Sequence, residues 1–226
     1  DVTVYSTSSY VVYSYYTYNL KLKNLKLLCS SSYGLYMYYA QGWRVENCLI
    51  RATSYCVYAS SGCNYDSFIG NDLKGGSYTM YLYNSSYAYG HYLANNFIYG
   101  WSTYGIYAYY GYYWKFLYNT IIGPGSYGVY AYYQNGDTWK NNILQANTYA
   151  VYRYSGSTVP AYSNYNAFWI NGGTTSSPVI YSSTYGAQTL AQWQSSSGRD
   201  GNSIQQNPQT GGVMNPHLRS SSPCIN

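Results

Sequence analysis

The amino-acid sequence predicts an all-β parallel solenoid, a β-helix of about seven or more coils followed by a loop-rich cap. Three observations predict it. A tetrapeptide returns about every 23 residues, a column of asparagines keeps step with it, and the repeating segments alternate with period two.

The tetrapeptide is Tyr-x-aliphatic-Tyr. It occurs at Tyr10–Tyr13, Tyr33–Tyr36, Tyr55–Tyr58, Tyr78–Tyr81, Tyr104–Tyr107, Tyr127–Tyr130 and Tyr149–Tyr152. The steps between starts are 23, 22, 23, 26, 23 and 22 residues, too regular for chance even with 38 tyrosines in 226 residues.

The second column is Asn24, Asn47, Asn71, Asn96, Asn119, Asn142 and Asn166, twelve to sixteen residues after each central aliphatic. Apolar residues follow each asparagine, as in Leu49-Ile50 and Ile121-Ile122. Two short strands per coil, with an asparagine at the bend before the second, account for this spacing. Stacked asparagines can hydrogen-bond along the column and satisfy the bend. Helical repeats would need a 3.6-residue apolar period and strong helix formers, whereas these coils are rich in Tyr, Ser, Gly and β-branched residues. The Leu-x-x-Leu-x-Leu signature of leucine-rich repeats is absent. In a parallel β-helix each strand pairs with its equivalent one coil on, so like residues stack at about 4.8 Å.

Alternation then separates inside from outside. The third position (Val12, Leu35, Val57, Met80, Ile106, Val129, Val151) is aliphatic and faces the core. The fifth (Ser14, Met37, Ala59, Leu82, Ala108, Ala131, Arg153) is mostly small or apolar and also faces in; Arg153 departs where the stack is expected to end. The fourth position therefore faces out, and it is tyrosine in every coil: Tyr13, Tyr36, Tyr58, Tyr81, Tyr107, Tyr130 and Tyr152. The sixth adds Tyr15, Tyr38, Tyr83, Tyr109, Tyr132 and Tyr154, with Ser60 as the exception. Two aromatic ladders about 30 Å long result. They either brace the sheet or form a contact surface, since large exposed apolar patches mark interaction sites.

The aliphatic-Asn-aliphatic coil resembles that of the right-handed parallel β-helix superfamily, the pectate-lyase-like fold, over roughly residues 1–170. Residues 171–226 are expected to cap the same domain. The run Thr189-Leu190-Ala191-Gln192-Trp193, the segment Gly198-Arg199-Asp200-Gly201-Asn202-Ser203-Ile204 and the ending Ser222-Pro223-Cys224-Ile225-Asn226 look like the end of secreted bacterial surface β-helices. The resemblance implies a right-handed coil and an extracellular or cell-surface location. The chain starts at Asp1 inside the repetitive pattern, so a processed or trimmed piece of a longer protein is expected.

Only 8% of residues are charged, and the eleven basic residues are scattered apart from Lys21–Lys26. Nucleic-acid binding, which concentrates positive charge, is not expected. No membrane-spanning run is visible. Cys29, Cys48, Cys56, Cys63 and Cys224 contain no CxxC pair; disulfides and buried free thiols both fit.

Glycan-cleaving β-helices cluster carboxylates, often around calcium. This chain has six acidic residues: Asp1, Glu46, Asp66, Asp72, Asp137 and Asp200. Asp66 with Asp72, or Glu46 with Asp72, would form a pair only if the bends bring them together; otherwise they are solvated bend residues. His91 is expected on a surface bulge of the longest coil, and neither it nor His217 has partners at metal-ligand spacing. Asn84-Ser85-Ser86 is a glycosylation sequon, with Asn84 as acceptor. No catalytic residue, metal or cofactor is assigned.

The expected function is a non-catalytic extracellular structural or adhesive protein, such as a subunit of a filament or surface layer. Its partner would be itself, head-to-tail or laterally, or a polysaccharide. The alternative is a carbohydrate-active protein, lyase- or hydrolase-like, acting along the tyrosine face.

Overall fold

The computed structural model describes residues 2–212 and 215–224. Asp1, and Ile225 and Asn226 of the C-terminal motif, lie outside the described residues. The chain winds through three parallel sheets, one strand of each per turn, for about seven turns. The first sheet holds Val2–Ser6, Leu25–Cys29, Leu49–Ala52, Asp72–Gly75, Phe97–Tyr99, Thr120–Ile122, Ile143–Ala146 and Ala167–Ile170. The tyrosine sheet runs from Tyr10–Tyr15 through Tyr149–Tyr154 to Ile180–Ser182, and Gly186–Gln188 adds an antiparallel strand at its end. A third sheet runs from Lys21–Lys23 to Tyr162–Asn164.

Three strands per coil correct the two expected. Each third-sheet strand is three residues long, with one inward side chain: Leu22, Val45, Phe68, Leu93, Phe116, Trp139 and Ser163. A single inward residue cannot display an alternation, so the sequence pattern does not reveal the strand. The other two sheets contribute the columns Leu27–Ile50–Leu73–Ile98–Ile121–Leu144–Phe168 and Leu35–Val57–Met80–Ile106–Val129–Val151 to the same core.

Five of the seven asparagines make the ladder. Asn71, Asn96, Asn119 and Asn142 each donate from Nδ2 to the Oδ1 of the next member, ending on Asn166, at 2.9–3.0 Å. Each Nδ2 also donates to a third-sheet carbonyl, such as Phe68 O for Asn96 and Phe116 O for Asn142. Asn24 and Asn47 do not belong to this column. They lie one residue earlier, with φ of 57° and 50°, in line with Gly70, Asn95, Tyr118, Asn141 and Tyr165. The left-handed region tolerates Asn and Gly best, which explains why asparagine appears in both columns. Both stand twelve residues after the aliphatic and the other five stand thirteen to sixteen, so coil-length variation masks the slip.

The tail motif terminates the ladder. Asn166 Nδ2 donates to Asp200 Oδ1, and Ser203 Oγ accepts from the Asn166 backbone N–H. The helix Leu190–Ser197 carries a Thr189/Gln192 capping box and buries Leu190 and Trp193 over the last coil, where Trp193 Nε1 donates to Asp200 Oδ2. The polar end of the ladder and the apolar end of the core are thus closed by one segment.

Arg153 does not mark the end of the stack. The tyrosine sheet continues to Ile180–Ser182, and Arg153 is buried and paired with Asp137. His91 is likewise buried, not on a bulge; the extra residues of the long coil are absorbed by a register shift between Tyr83 and Ala88. All five cysteines are free thiols, four of them buried, so the small-hydrophobe alternative holds. Burial pushes the Cys56 and Cys63 thiols up to about 12.

Candidate functional site: the tyrosine face

The fourth-position rings stack without interruption from Tyr13 through Tyr36, Tyr58, Tyr81, Tyr107 and Tyr130 to Tyr152. Their centroids are 4.8–5.5 Å apart, with interplanar angles of 18° or less. Tyr181 extends the series at 4.4 Å. The sixth-position column stacks Tyr15 on Tyr38 and then, beyond Ser60, Tyr83, Tyr109, Tyr132 and Tyr154.

A third column escaped the sequence argument. The first-position residues Tyr10, Tyr33, Tyr55, Tyr78, Tyr104, Tyr127 and Tyr149 also form a column, with centroids 5.0–6.2 Å apart, stacked at every step except Tyr78–Tyr104, which is tilted at 52°. Several meet the fourth-position ring of their own coil edge-on, as Tyr55 does Tyr58 at 80°. Strict alternation would turn position one inward with positions three and five. The chain instead bends at position two, which is skipped in the pairing register, and buries positions two and three together. Small residues there permit the close stack: a Cβ on Gly105 would sit 2.5 Å from the Gly128 carbonyl oxygen.

The stacking direction decides what the face presents. A ring packed against its equivalents above and below covers most of both its faces. The surface is therefore a comb of phenol edges and hydroxyls, and the interior rings are half-buried. Rings are open only near the ends, as at Tyr13, Tyr15 and Tyr154. Stacking a sugar on flat ladder rings is disfavoured by this geometry, whereas edge and hydroxyl contacts are available. Burial, reinforced by neighbouring phenols, raises the Tyr81, Tyr107 and Tyr130 hydroxyls above the ordinary tyrosine range and brings Tyr109 and Tyr152 to about 12.

The outward positions of the tyrosine sheet carry no charge. The tyrosine sheet's one basic residue, Arg153, points inward, whereas Lys21, Lys23, Arg44, Lys115 and Lys140 lie on the third sheet and Lys26, Arg51 and Lys74 on the first.

The proposed carboxylate pairs do not assemble. Glu46 lies on the third sheet, ion-paired with Lys21 at 3.2 Å and with Arg44; the Arg44 hydrogen bond holds its carboxyl below the usual range. Asp72 lies on the first sheet and meets Arg51 at 3.0 Å. Asp66 is not a solvated bend residue. It is buried in the core, where its Oδ1 accepts the Trp43 N–H at 2.8 Å. His91 stacks one coil on, its Nδ1 accepting the Asp66 N–H at 3.1 Å and its ring packed edge-on to Trp114. Burial raises Asp66 well above the carboxylate range and lowers His91 to about 4.

Asn84 cannot serve as a glycan acceptor in this fold. Its side chain is buried, with Oδ1 accepting the Gly62 N–H at 2.7 Å and Nδ2 enclosed. Among the described residues no three His, Cys, Asp or Glu side chains converge as a metal site requires. Among them, too, no helix is long and apolar enough to cross a membrane.

A family model described as the right-handed beta helix region matches residues 33–207. No curated protein matches the chain.

Proposed function

This chain belongs to the right-handed β-helix family, and we propose that it is a non-catalytic extracellular structural or adhesive protein whose tyrosine sheet is an assembly face. The observation that carries the proposal is that face: three aromatic columns on a sheet whose outward positions hold no charge. Exposed sheets normally carry charges that oppose association. A second copy offers a comb of the same period, so side chains of two such faces can interdigitate along their length. Lateral pairing of these rods leads to filaments or layers, whereas the capped last coil does not favour head-to-tail stacking.

The non-catalytic part of the proposal is supported by the acidic residues. Among the described residues every carboxylate is tied to a structural partner or buried in the core. The matching test is a polysaccharide panel, in which release of reducing or unsaturated sugars would overturn the proposal. Assembly is tested by sedimentation over a concentration range together with electron microscopy. The protein is expected to associate, and Tyr81→Lys with Tyr107→Lys is expected to keep it monomeric. A wild-type protein that stays monomeric at high concentration and forms no assemblies rules out the assembly face.

A further inference from the structure

The tyrosine rings best placed to receive a ligand are not in the ladders. Tyr118 and Tyr165 occupy the left-handed bend between the third and first sheets, with φ of 57° and 59°, two coils apart and separated by Asn141. Two coils amount to about 10 Å along the axis. Both side chains are at least half exposed, and among the described residues neither ring stacks on another aromatic. They line an open groove of about 600 Å³ whose far wall is the tail, at Asn202, Ile204 and Cys224.

We propose that this groove binds a neutral oligosaccharide. Its chemistry is amphipathic and almost uncharged. Two phenol rings offer apolar surface with a hydroxyl at the tip. The side-chain amides of Asn141 and Asn202 line the groove, and among the described residues neither has a side-chain hydrogen-bond partner. Ile204 adds an apolar floor. Two charges lie near: the Lys140 ammonium, 5.8 Å from the Tyr165 ring centroid, and the buried Asp200 carboxylate, which accepts from the groove-lining Asn166 Nδ2. A single-stranded nucleic acid also stacks on aromatics, but it needs a positively charged track along its backbone, and one lysine does not make one. A sugar chain presents apolar ring faces and many neutral hydroxyls, which fits rings and amides set along one line. The volume lies within the ordinary range for small-molecule sites. This inference does not depend on the ladder being an assembly face.

The test uses the whole protein and cello-, manno-, xylo- and chito-oligosaccharides in titration calorimetry. Asparagine already occupies this bend at Asn24, Asn47, Asn95 and Asn141, so Tyr118→Asn and Tyr165→Asn preserve the backbone. At least one oligosaccharide is expected to bind, and each substitution should weaken it tenfold or more. Tyr65→Asn, at an exposed left-handed bend on a different edge, should leave affinity unchanged. Cys224 supplies a second readout. It is the one thiol of the five that is not buried, and bound oligosaccharide should slow its alkylation several-fold. The proposal is overturned if no oligosaccharide of the panel binds, or if binding survives the Tyr118/Tyr165 double substitution. It is equally overturned if Cys224 alkylates at the same rate with saturating ligand, or if a proline-rich peptide or an anionic oligogalacturonate binds more tightly than every neutral sugar.

Discussion

Arg153 Nη1 donates to Asp137 Oδ2 at 3.1 Å, with both side chains enclosed by the last coils. The guanidinium also donates to the carbonyls of Thr158 and Gln134, so it ties three segments together. Burial pushes the Asp137 carboxyl up, and the guanidinium pulls it the other way. Removing one partner leaves a buried charge without its counter-ion. Arg153→Leu is expected to cost about 3–5 kcal/mol. Adding Asp137→Leu should cost less than the sum of the single substitutions, as a double-mutant cycle by chemical denaturation would show.

The two asparagine columns should respond differently. Asn119→Ala removes two donors and an acceptor from the buried ladder and strands its neighbours, an effect of roughly 2–4 kcal/mol. Asn24→Gly, at a left-handed bend residue outside the ladder, should change stability by only about 0.5 kcal/mol. Urea midpoints compare the two directly.

Asp66 and His91 predict opposite acid responses. The folded His91 pKa of about 4 lies below its unfolded value, so the unfolded chain binds more protons between the two. Its effect is a loss of stability as pH falls from about 6.5 towards 4. Asp66 is raised, so its effect is a loss as pH rises from the unfolded carboxylate value of about 3.9 through its folded pKa. Asp66→Asn should therefore unmask an acid-side decline, and His91→Gln should unmask a decline in the other direction. Stability profiles with the same slope in both variants would refute the assignment.

Alkaline titration reports on the ladders. The raised phenols of Tyr109 and Tyr152, at about 12, remain protonated where an unfolded chain has ionised. Stability should be intact below about pH 10 and fall as pH rises beyond it. Tyrosinate absorbance should appear in two stages, the later one coinciding with loss of β-sheet circular dichroism.

Within a ladder, position sets the contribution. Tyr107 stacks on Tyr81 and Tyr130, whereas Tyr13 stacks on Tyr36 alone and is mostly exposed. Tyr107→Ala should cost about 1–3 kcal/mol and Tyr13→Ala less than about 1 kcal/mol, on a scale of roughly 0.5–1.5 kcal/mol per aromatic pair. Thermal denaturation of the two variants would show the difference.

The sequence by itself determined the solenoid, the outward tyrosines at positions four and six, and the core residues at positions three and five. Each recurs in all or nearly all coils, with Ser60 and Arg153 as departures, and repetition makes a local preference legible. Tertiary structure decided what local pattern could not express. The three-residue third strand has no period of its own, and the bend at position two turned Tyr10, Tyr33 and their equivalents outward. One residue of slip divided Asn24 and Asn47 from the ladder that begins at Asn71. Burial placed Asn84, Asp66 and His91 inside, although each is a polar residue near a bend. The sequence left the tyrosine columns as either braces or a contact surface, and only stacking at about 5 Å shows that most of each ring face is covered. The exposed rings of Tyr118 and Tyr165 line one groove only because the chain returns to the same bend two coils later.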